Sequence, residues 1–372
     1  MKQSTEKKSI EKKNVAKYKI LDFMLNQGST TKADIAKQLN LSMPTVLSNI
    51  NELTEKGLVI EVGEMESTGG RKARRISLNE DYYYAVGVDI TAHHISMVLV
   101  NFGGKIVHQQ RIRFDFQPDI AYSRQLAEQI AEFYKDVAVE EKILGIGISL
   151  PGIINEREHI LAKSHALQLE NYSLKMIEQL LTFPVYFEND ANAAMLAENP
   201  QQVGNVVYLS LNNTLGGAVC IDGRLFLGHN RKAGEFGHML LVPGGKQCYC
   251  GKRGCADAYC AASVLTGNGK YSLDVFMQSL EKDADADRMW EEYLENLAVL
   301  ITNVRMIFDT DIILGGDVGG YLEKHMMELA EKVMKYNRFD RDVSYLKNCS
   351  YQKEASAVGV AKHFFQLYVE QI

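Results

Sequence analysis

Apolar positions recur along the first eighty residues with the spacing of short amphipathic helices. Val15, Tyr18, Leu21, Met24 and Leu25 predict a helix over 14–27 that stops at Gly28. Ser29-Thr30-Thr31 predicts the cap of a second helix with Ile35, Ala36 and Leu39 on its inner face. Asn40-Leu41 makes a short turn. Ser42 then caps a third helix with Pro44 in its first turn, where the missing N–H costs nothing. On that helix Val46, Leu47, Ile50 and Leu53 are expected to face inward. Thr45, Ser48 and Asn49 are left as an open face of small hydrogen-bonding side chains. Segments 58–62 and 75–78 read as paired strands around a glycine-rich tip.

From Tyr84 the pattern changes. Apolar runs at 85–90 and 95–101, with a Gly103-Gly104 turn, predict a hairpin, followed by a helix at 121–137 and a buried strand at 143–150. A strand at 185–188 precedes a helix at 191–197, and such alternation continues to the C-terminus, which argues for an α/β body. No apolar run approaches the roughly 20 residues that span a bilayer. Residues 1–13 are too polar for a signal peptide, and only they are candidates for disorder. The expectation is a cytoplasmic protein without a membrane partner, its six cysteines kept reduced.

Charge sharpens the division. Net charge is −6, yet residues 1–80 hold 14 Lys and Arg against 10 Asp and Glu, leaving an acidic body under a basic head. That suits a polyanion partner for the head alone. Thr45, Ser48 and Asn49 would reach base edges in a major groove of double-stranded DNA. Arg71, Lys72, Arg74 and Arg75, four cations in five residues, would grip phosphates or enter a minor groove. Segment 31–60 resembles the winged helix-turn-helix of many bacterial regulators. The alternative is a three-helix protein-docking module with a solvated basic hairpin.

Cys248, Cys250 and Cys255 fall within eight residues, with Gly251 and Gly254 to let the backbone fold around an ion. His238 completes a Cys3His set, a common closed zinc site. One structural zinc ion per chain is expected there, against the alternative of reduced, buried thiols. Cys260 is a spare thiol, and Cys220 and Cys349 read as packing residues.

The body resembles the ROK family (repressors, open reading frames and sugar kinases). The matching pieces are Gly145-Ile146-Gly147 with Pro151-Gly152, Glu188-Asn189-Asp190-Ala191-Asn192, Leu215-Gly216-Gly217, Gly234-Glu235-Phe236-Gly237-His238, the cysteine loop 248–255 and Ile313-Leu314-Gly315-Gly316. The resemblance implies a two-lobed, actin-like sugar-kinase fold behind the winged helix-turn-helix domain at 1–80. The small lobe would cover 81–188, completed by a C-terminal helix at 356–372. The large lobe would cover 189–355, carrying the zinc loop and an oligomerisation surface. It further implies that Asn189, Asp190, Glu235 and His238 contact sugar hydroxyls, with Asp190 at the position of the kinases' catalytic base. Asp257 stands where the family usually has Glu. Fixed carboxylates and amides suit hydroxyls, which both donate and accept.

The phosphate loops depart from the family. Its D-x-G-x-T turn is here Asp89-Ile90-Thr91-Ala92-His93, and its G-T-G-[IV]-G loop is Asn212-Asn213-Thr214-Leu215-Gly216. A branched Cβ at Thr91 and the loss of two glycines argue against a phosphate cradle, leaving Asp190 a vestigial base and no catalytic residue. Three readings follow. The chain is a sugar-responsive repressor of carbohydrate uptake or catabolism genes, answering to a sugar or sugar phosphate; a sugar kinase with a DNA-binding head; or a regulator under a protein partner. The first implies a homodimer or tetramer on a palindromic operator.

Overall fold

The computed structural model of the chain describes residues 2–64, 74–135, 137, 140–198 and 204–372. The head comprises α1 (Lys2–Gln27), β1 (Thr30–Thr31), α2 (Lys32–Gln38), α3 (Met43–Glu55), β2 (Val59–Glu64) and β3 (Arg74–Leu78). Helix α1 begins well before residue 14, through the segment whose polar composition suggested disorder. Its buried face is Ala16, Ile20, Leu21 and Met24, and Val15 lies exposed on the other side. Thr31 and Ser42 cap α2 and α3, accepting from Asp34 N (3.1 Å) and Thr45 N (3.4 Å). β3 pairs with both β1 and β2 in a three-stranded sheet.

The first sheet of the body is built from β4 (Tyr84–Ile90), β5 (His94–Asn101), β6 (Ile106–Arg113), β7 (Ile143–Leu150) and β11 (Val185–Asn189), in the order β11-β7-β4-β5-β6. Strands β4 to β6 form an antiparallel meander, while β7 and β11 join in parallel. Between β7 and β11 lies a small antiparallel sheet of β8 (Ile153–Asn155), β9 (Ile160–Ser164) and β10 (Leu169–Ser173). Helices α4 (Ile120–Lys135) and α5 (Lys175–Glu178) cover one face of the main sheet, burying Tyr122, Leu126, Ile130 and Ile177.

After α6 (Asp190–Glu198) comes the second sheet, β12 (Val206–Leu211), β13 (Leu215–Ile221), β14 (Arg224–Leu225), β15 (Asp311–Gly315) and β16 (Leu346–Asn348), in the order β14-β13-β12-β15-β16. Its layout repeats the first: an antiparallel set, then two parallel strands. Helices α7 (Asp257–Cys260), α8 (Ala262–Leu265), α9 (Leu273–Ser279), α10 (Ala284–Phe308), α11 (Gly316–Leu322) and α12 (Met326–Tyr336) surround it. No helix among the described residues is long and apolar enough to cross a membrane.

The last helix, α13 (Ala355–Gln371), returns to the first sheet and packs on β4, β7 and α6. Glycines permit that approach. A Cβ at Gly87 would lie 1.9 Å from Ala357 O, and one at Gly147 would lie 2.3 Å from Val360 O. At Gly359 the helix meets α6, where a Cβ would stand 1.7 Å from Ala193 O. On its outer side α13 shares one continuous apolar core with the head, from Ile20 and Leu53 to Phe364 and Phe365. Head and first sheet are thus bonded through the helix that also touches α6.

Candidate functional site

The chain enters α6 directly from β11, and this junction places Glu188, Asn189 and Asp190 at the floor of a cleft between the two sheets. The cleft holds a cavity of about 370 Å³, also lined by Gly152, Gly216, Arg231, Glu235 and His238. Asn189 spans it: Nδ2 donates to Gly152 O (3.0 Å) and Oδ1 accepts from Asn192 N (3.0 Å), which caps α6. Oδ1 of Asp190 accepts from Ala191 N (2.9 Å). Burial pushes the Asp190 carboxyl up to about 7, and the neighbouring Asp89 and Glu235 carboxylates add to it. Asp89 is itself raised to about 6 by burial, opposed by the Ser149 hydroxyl at 2.7 Å.

Glu188, part of a family motif with no role of its own in the sequence, lines the cavity. Its Oε1 accepts from Asn189 N (2.7 Å) and Asn192 Nδ2 (3.1 Å), and its Oε2 from the Tyr186 hydroxyl (2.8 Å). Burial pushes it to about 7. Arg231, Lys232 and His165 also reach the cavity without a sequence signal, because they come from loops outside the family motifs, and Tyr249 reaches it from within the cysteine loop. Arg231 donates to Ile154 O (3.0 Å) and Glu156 (3.2 Å), tying the 226–235 loop to the small β8–β9 hairpin.

Asp257 is placed differently from the other expected sugar residues. It is buried behind the cavity wall, where its Oδ2 accepts from Leu215 N (2.7 Å). A carboxylate one methylene shorter than the family's Glu is held by the backbone. The cavity therefore gathers Asn189, Asp190, Glu235 and His238 and leaves Asp257 in support.

His238 joins this cavity to the cysteine loop. Its Nδ1 lies 3.9 Å from Cys248 Sγ, while Cys250 and Cys255 Sγ are 3.7 Å apart, and all four donor atoms fall within 4.8 Å of one another. A tetrahedron with metal–sulfur bonds of about 2.3 Å has edges of about 3.8 Å. The donor set fits. Gly251 and Gly254 both adopt φ +90, and a Cβ at Gly254 would strike Val242 O at 1.8 Å. The other ring nitrogen, Nε2, faces the Tyr249 hydroxyl (3.3 Å) and Glu235 (3.9 Å) on the cavity side. Burial, with Lys252 and His165 nearby, lowers the His238 pKa and favours the neutral imidazole a metal needs.

Where a kinase would cradle phosphates, this chain's own side chains are engaged. The Thr91 hydroxyl donates to His94 O (3.0 Å) and accepts from His94 N (3.1 Å), closing the β4–β5 turn. Asn212 Oδ1 accepts from Asp317 N (2.8 Å) at the start of α11, and its Nδ2 donates to Ser210 Oγ (3.1 Å).

On the head, α3 corrects two expectations. Asn49 is 1% exposed; its Nδ2 donates to Thr45 O (2.8 Å), and its Oδ1 finds no partner among the described residues. It belongs to the core side of the helix. Leu47, expected inside, is 40% exposed. Residues 46, 49, 50 and 53 occupy one side of a 3.6-residue helix and so turn 47 outward. Thr45 is half-buried, its hydroxyl 2.8 Å from that of Ser42, and Ser48 is exposed. Arg74 pairs with Glu61 (2.8 Å) and Arg75 bonds Ser29. Arg71 and Lys72 lie outside the described residues.

Comparison with known proteins matches the ROK family over residues 85–366 and a winged helix-turn-helix DNA-binding family over 14–60. The xylose repressor of Caldicellulosiruptor bescii is 26% identical over 362 residues, covering 88% of this chain and 89% of that protein. The xylose repressor of Bacillus subtilis is 26% identical, covering 93% and 92%. The Escherichia coli transcriptional dual regulator NagC is 25% identical over 258 residues, 68% of this chain and 63% of that one. Among solved structures, a ROK family transcriptional regulator homologous to the E. coli MLC protein superposes with a TM-score of 0.72 at 20% identity, covering 96% of each chain. A ROK family glucokinase from Streptomyces griseus, bound to glucose and AMPPNP, gives 0.59 at 22% identity, covering 75% of this chain and 98% of that one. These structural likenesses establish the fold.

Proposed function

The chain belongs to the ROK family, and from that premise we propose that it is a sugar-responsive, DNA-binding transcriptional repressor. The observation that carries this reading is the pairing, in one chain, of a winged helix-turn-helix head with a cavity walled by Asn189, Asp190, Glu235 and His238. Carboxylate, amide and imidazole groups on fixed backbone give a sugar's hydroxyls both donors and acceptors. Residues 1–80 form the DNA-binding domain. Residues 81–188, with α13, and 189–355 form two lobes that close on the sugar. Thr45, Ser48, Arg74 and Arg75, with Arg71 and Lys72, supply DNA contacts.

His238, Cys248, Cys250 and Cys255 hold one structural zinc ion, consistent with three thiols, one imidazole and no donor position left for water. The ion's contribution is to fix the loop, so that His238 presents Nε2 to the cavity. Such repressors act as symmetric oligomers on palindromic operators, because one winged helix contacts few base pairs.

A sugar kinase is the competing reading, favoured by Asp190, whose raised pKa suits a general base. Against it stand the engaged Thr91 and the Asn212 amide capping α11. Phosphoryl transfer needs an open backbone cradle for the phosphates.

The test is binding of the purified protein to DNA flanking its own gene, at fixed salt, with a panel of free and phosphorylated sugars. Release or tightening by one sugar, without ATP consumption, is the expected result. ATP-dependent phosphorylation of that sugar would favour the kinase, and indifference to every sugar would overturn the sensor role.

A further inference from the structure

The outer face of α3 is unexpectedly apolar for a helix meant to touch a charged polymer. Met43 is 41% exposed and Leu47 40%, and they stand one turn apart at i and i+4. Ser48 and Asn51 flank them, also exposed, while Asn49 is turned into the core, which leaves Asn51 as the exposed amide on this face. In the major groove a base edge offers hydrogen-bonding groups, with one exception: thymine carries a C5 methyl. Leu47 has no hydrogen-bonding atom and Met43 only a weakly accepting thioether sulfur, so neither answers the other base-edge patterns well, and burying a methyl is what such side chains do well.

Resting on the DNA-binding reading, we infer that Leu47 and Met43 read thymine methyl groups in the operator half-site. The spacing agrees. Four residues of helix advance about 6 Å, close to two base-pair steps of about 3.4 Å each. With α3 along the groove, the two side chains meet methyls about two steps apart. Ser48 and Asn51 then supply polar contacts beside them, and the half-site is specified as much by methyl groups as by hydrogen bonds.

The experiment uses the full-length protein. A duplex is first selected from a random library, and each thymine of the enriched half-site is then replaced singly by deoxyuridine, which removes only the methyl. Wild type should lose about fourfold in affinity at each contacted thymine, the worth of one buried methyl-sized group. Leu47→Ala should weaken the thymine duplex by a similar factor and be insensitive to uracil at one position. Met43→Ala should be insensitive at the other. Val15→Ala, on the exposed side of α1, should keep the full uracil pattern. Uracil without effect at every position, or an equal loss in wild type and both α3 variants, would overturn the inference while leaving DNA binding intact. Failure to enrich any sequence would overturn both this inference and the reading it rests on.

Discussion

Asp190 carries two burdens: it starts α6, and its carboxyl lies in a cavity that disfavours its charge. With a folded pKa of about 7 against an ordinary value near 3.8, the folded state holds a proton that the unfolded chain has released between those limits. Stability contributed at this position therefore falls as pH rises from about 4 to about 7, and stays low above it. Asp89 and Glu188 push the same way. Asp190→Asn should flatten part of that slope and raise stability at pH 8 by about 1–2 kcal/mol after allowance for solvent screening, which urea denaturation at pH 5 and pH 8 would measure. A sugar hydroxyl donating to Asp190 favours the charged form, so wild-type affinity for sugar should weaken as pH drops below 7, by at most about tenfold per unit. Titration calorimetry across that range reads it directly. Asp190→Ala should abolish the sugar response and leave operator affinity within about twofold, since the site lies in the body. Unchanged induction in that variant would remove the pocket from the mechanism. Two residues on α3 show the limit of sequence at this scale. Leu47 and Asn49 stand two positions apart on opposite edges of the stripe of Val46, Ile50 and Leu53, and a rotation of the helix by less than one residue decides which of them is buried.

The cysteine loop and α13 are elements whose form depends on a few atoms. Chelation, or Cys250→Ser, should lower the melting temperature by several degrees and blunt the sugar response together, because His238 belongs to both the donor set and the cavity. Identical melting with and without chelator would contradict the metal assignment. Along α13, Gly359→Ala places a methyl within 1.7 Å of Ala193 O and must drive α13 and α6 apart. A loss of about 2–3 kcal/mol in denaturant unfolding is expected, larger than helix propensity would suggest for replacing glycine by alanine. The helices and strands themselves were largely legible, because periodicity and caps are local. Strand 143–150 was read with the bounds it has, and Thr31, Ser42 and Pro44 sit where the caps required. Helix α1 starts earlier than the apolar pattern predicts, because a polar stretch extends the helix without an apolar stripe to announce it.

Across the whole molecule, the cavity and the head are linked by a short series of contacts. Ser356 Oγ donates to Asp190 O (3.0 Å), the Tyr186 and His363 rings stack at 3.6 Å, and Gln366 Nε2 donates to the Tyr18 hydroxyl (3.2 Å) on α1. Lys17 on α1 in turn pairs with Glu52 on α3. A cavity of about 410 Å³ lies beside this joint, lined by Leu25, Gly28, Gly104, Leu196 and His363. Gln366→Ala should therefore leave sugar binding and operator binding near wild type, while the change in operator affinity caused by sugar shrinks by about threefold or more, on the scale of a modest coupling energy. Parallel titrations of operator with and without sugar, in both proteins, measure that coupling. A full sugar effect in the variant would show that α13 does not carry the signal by this contact.

Sequence alone determined the division into a basic head and an acidic α/β body, the Cys3His donor set, and four of the five expected sugar residues that line the cavity. The division is written in periodicity and charge and the cysteine cluster in local spacing, whereas the sugar residues follow from the motifs the chain shares with the ROK family. Tertiary structure decided that Asp257 serves the backbone of Leu215, that Glu188 and Arg231 wall the cavity, and that Leu47 faces outward in place of Asn49. It also decided that two sheets share one layout and that α13 binds both cavity helix and head. These facts depend on which surfaces meet across hundreds of residues. Burial and hydrogen bonding are properties of such meetings, and no local pattern of side chains encodes them.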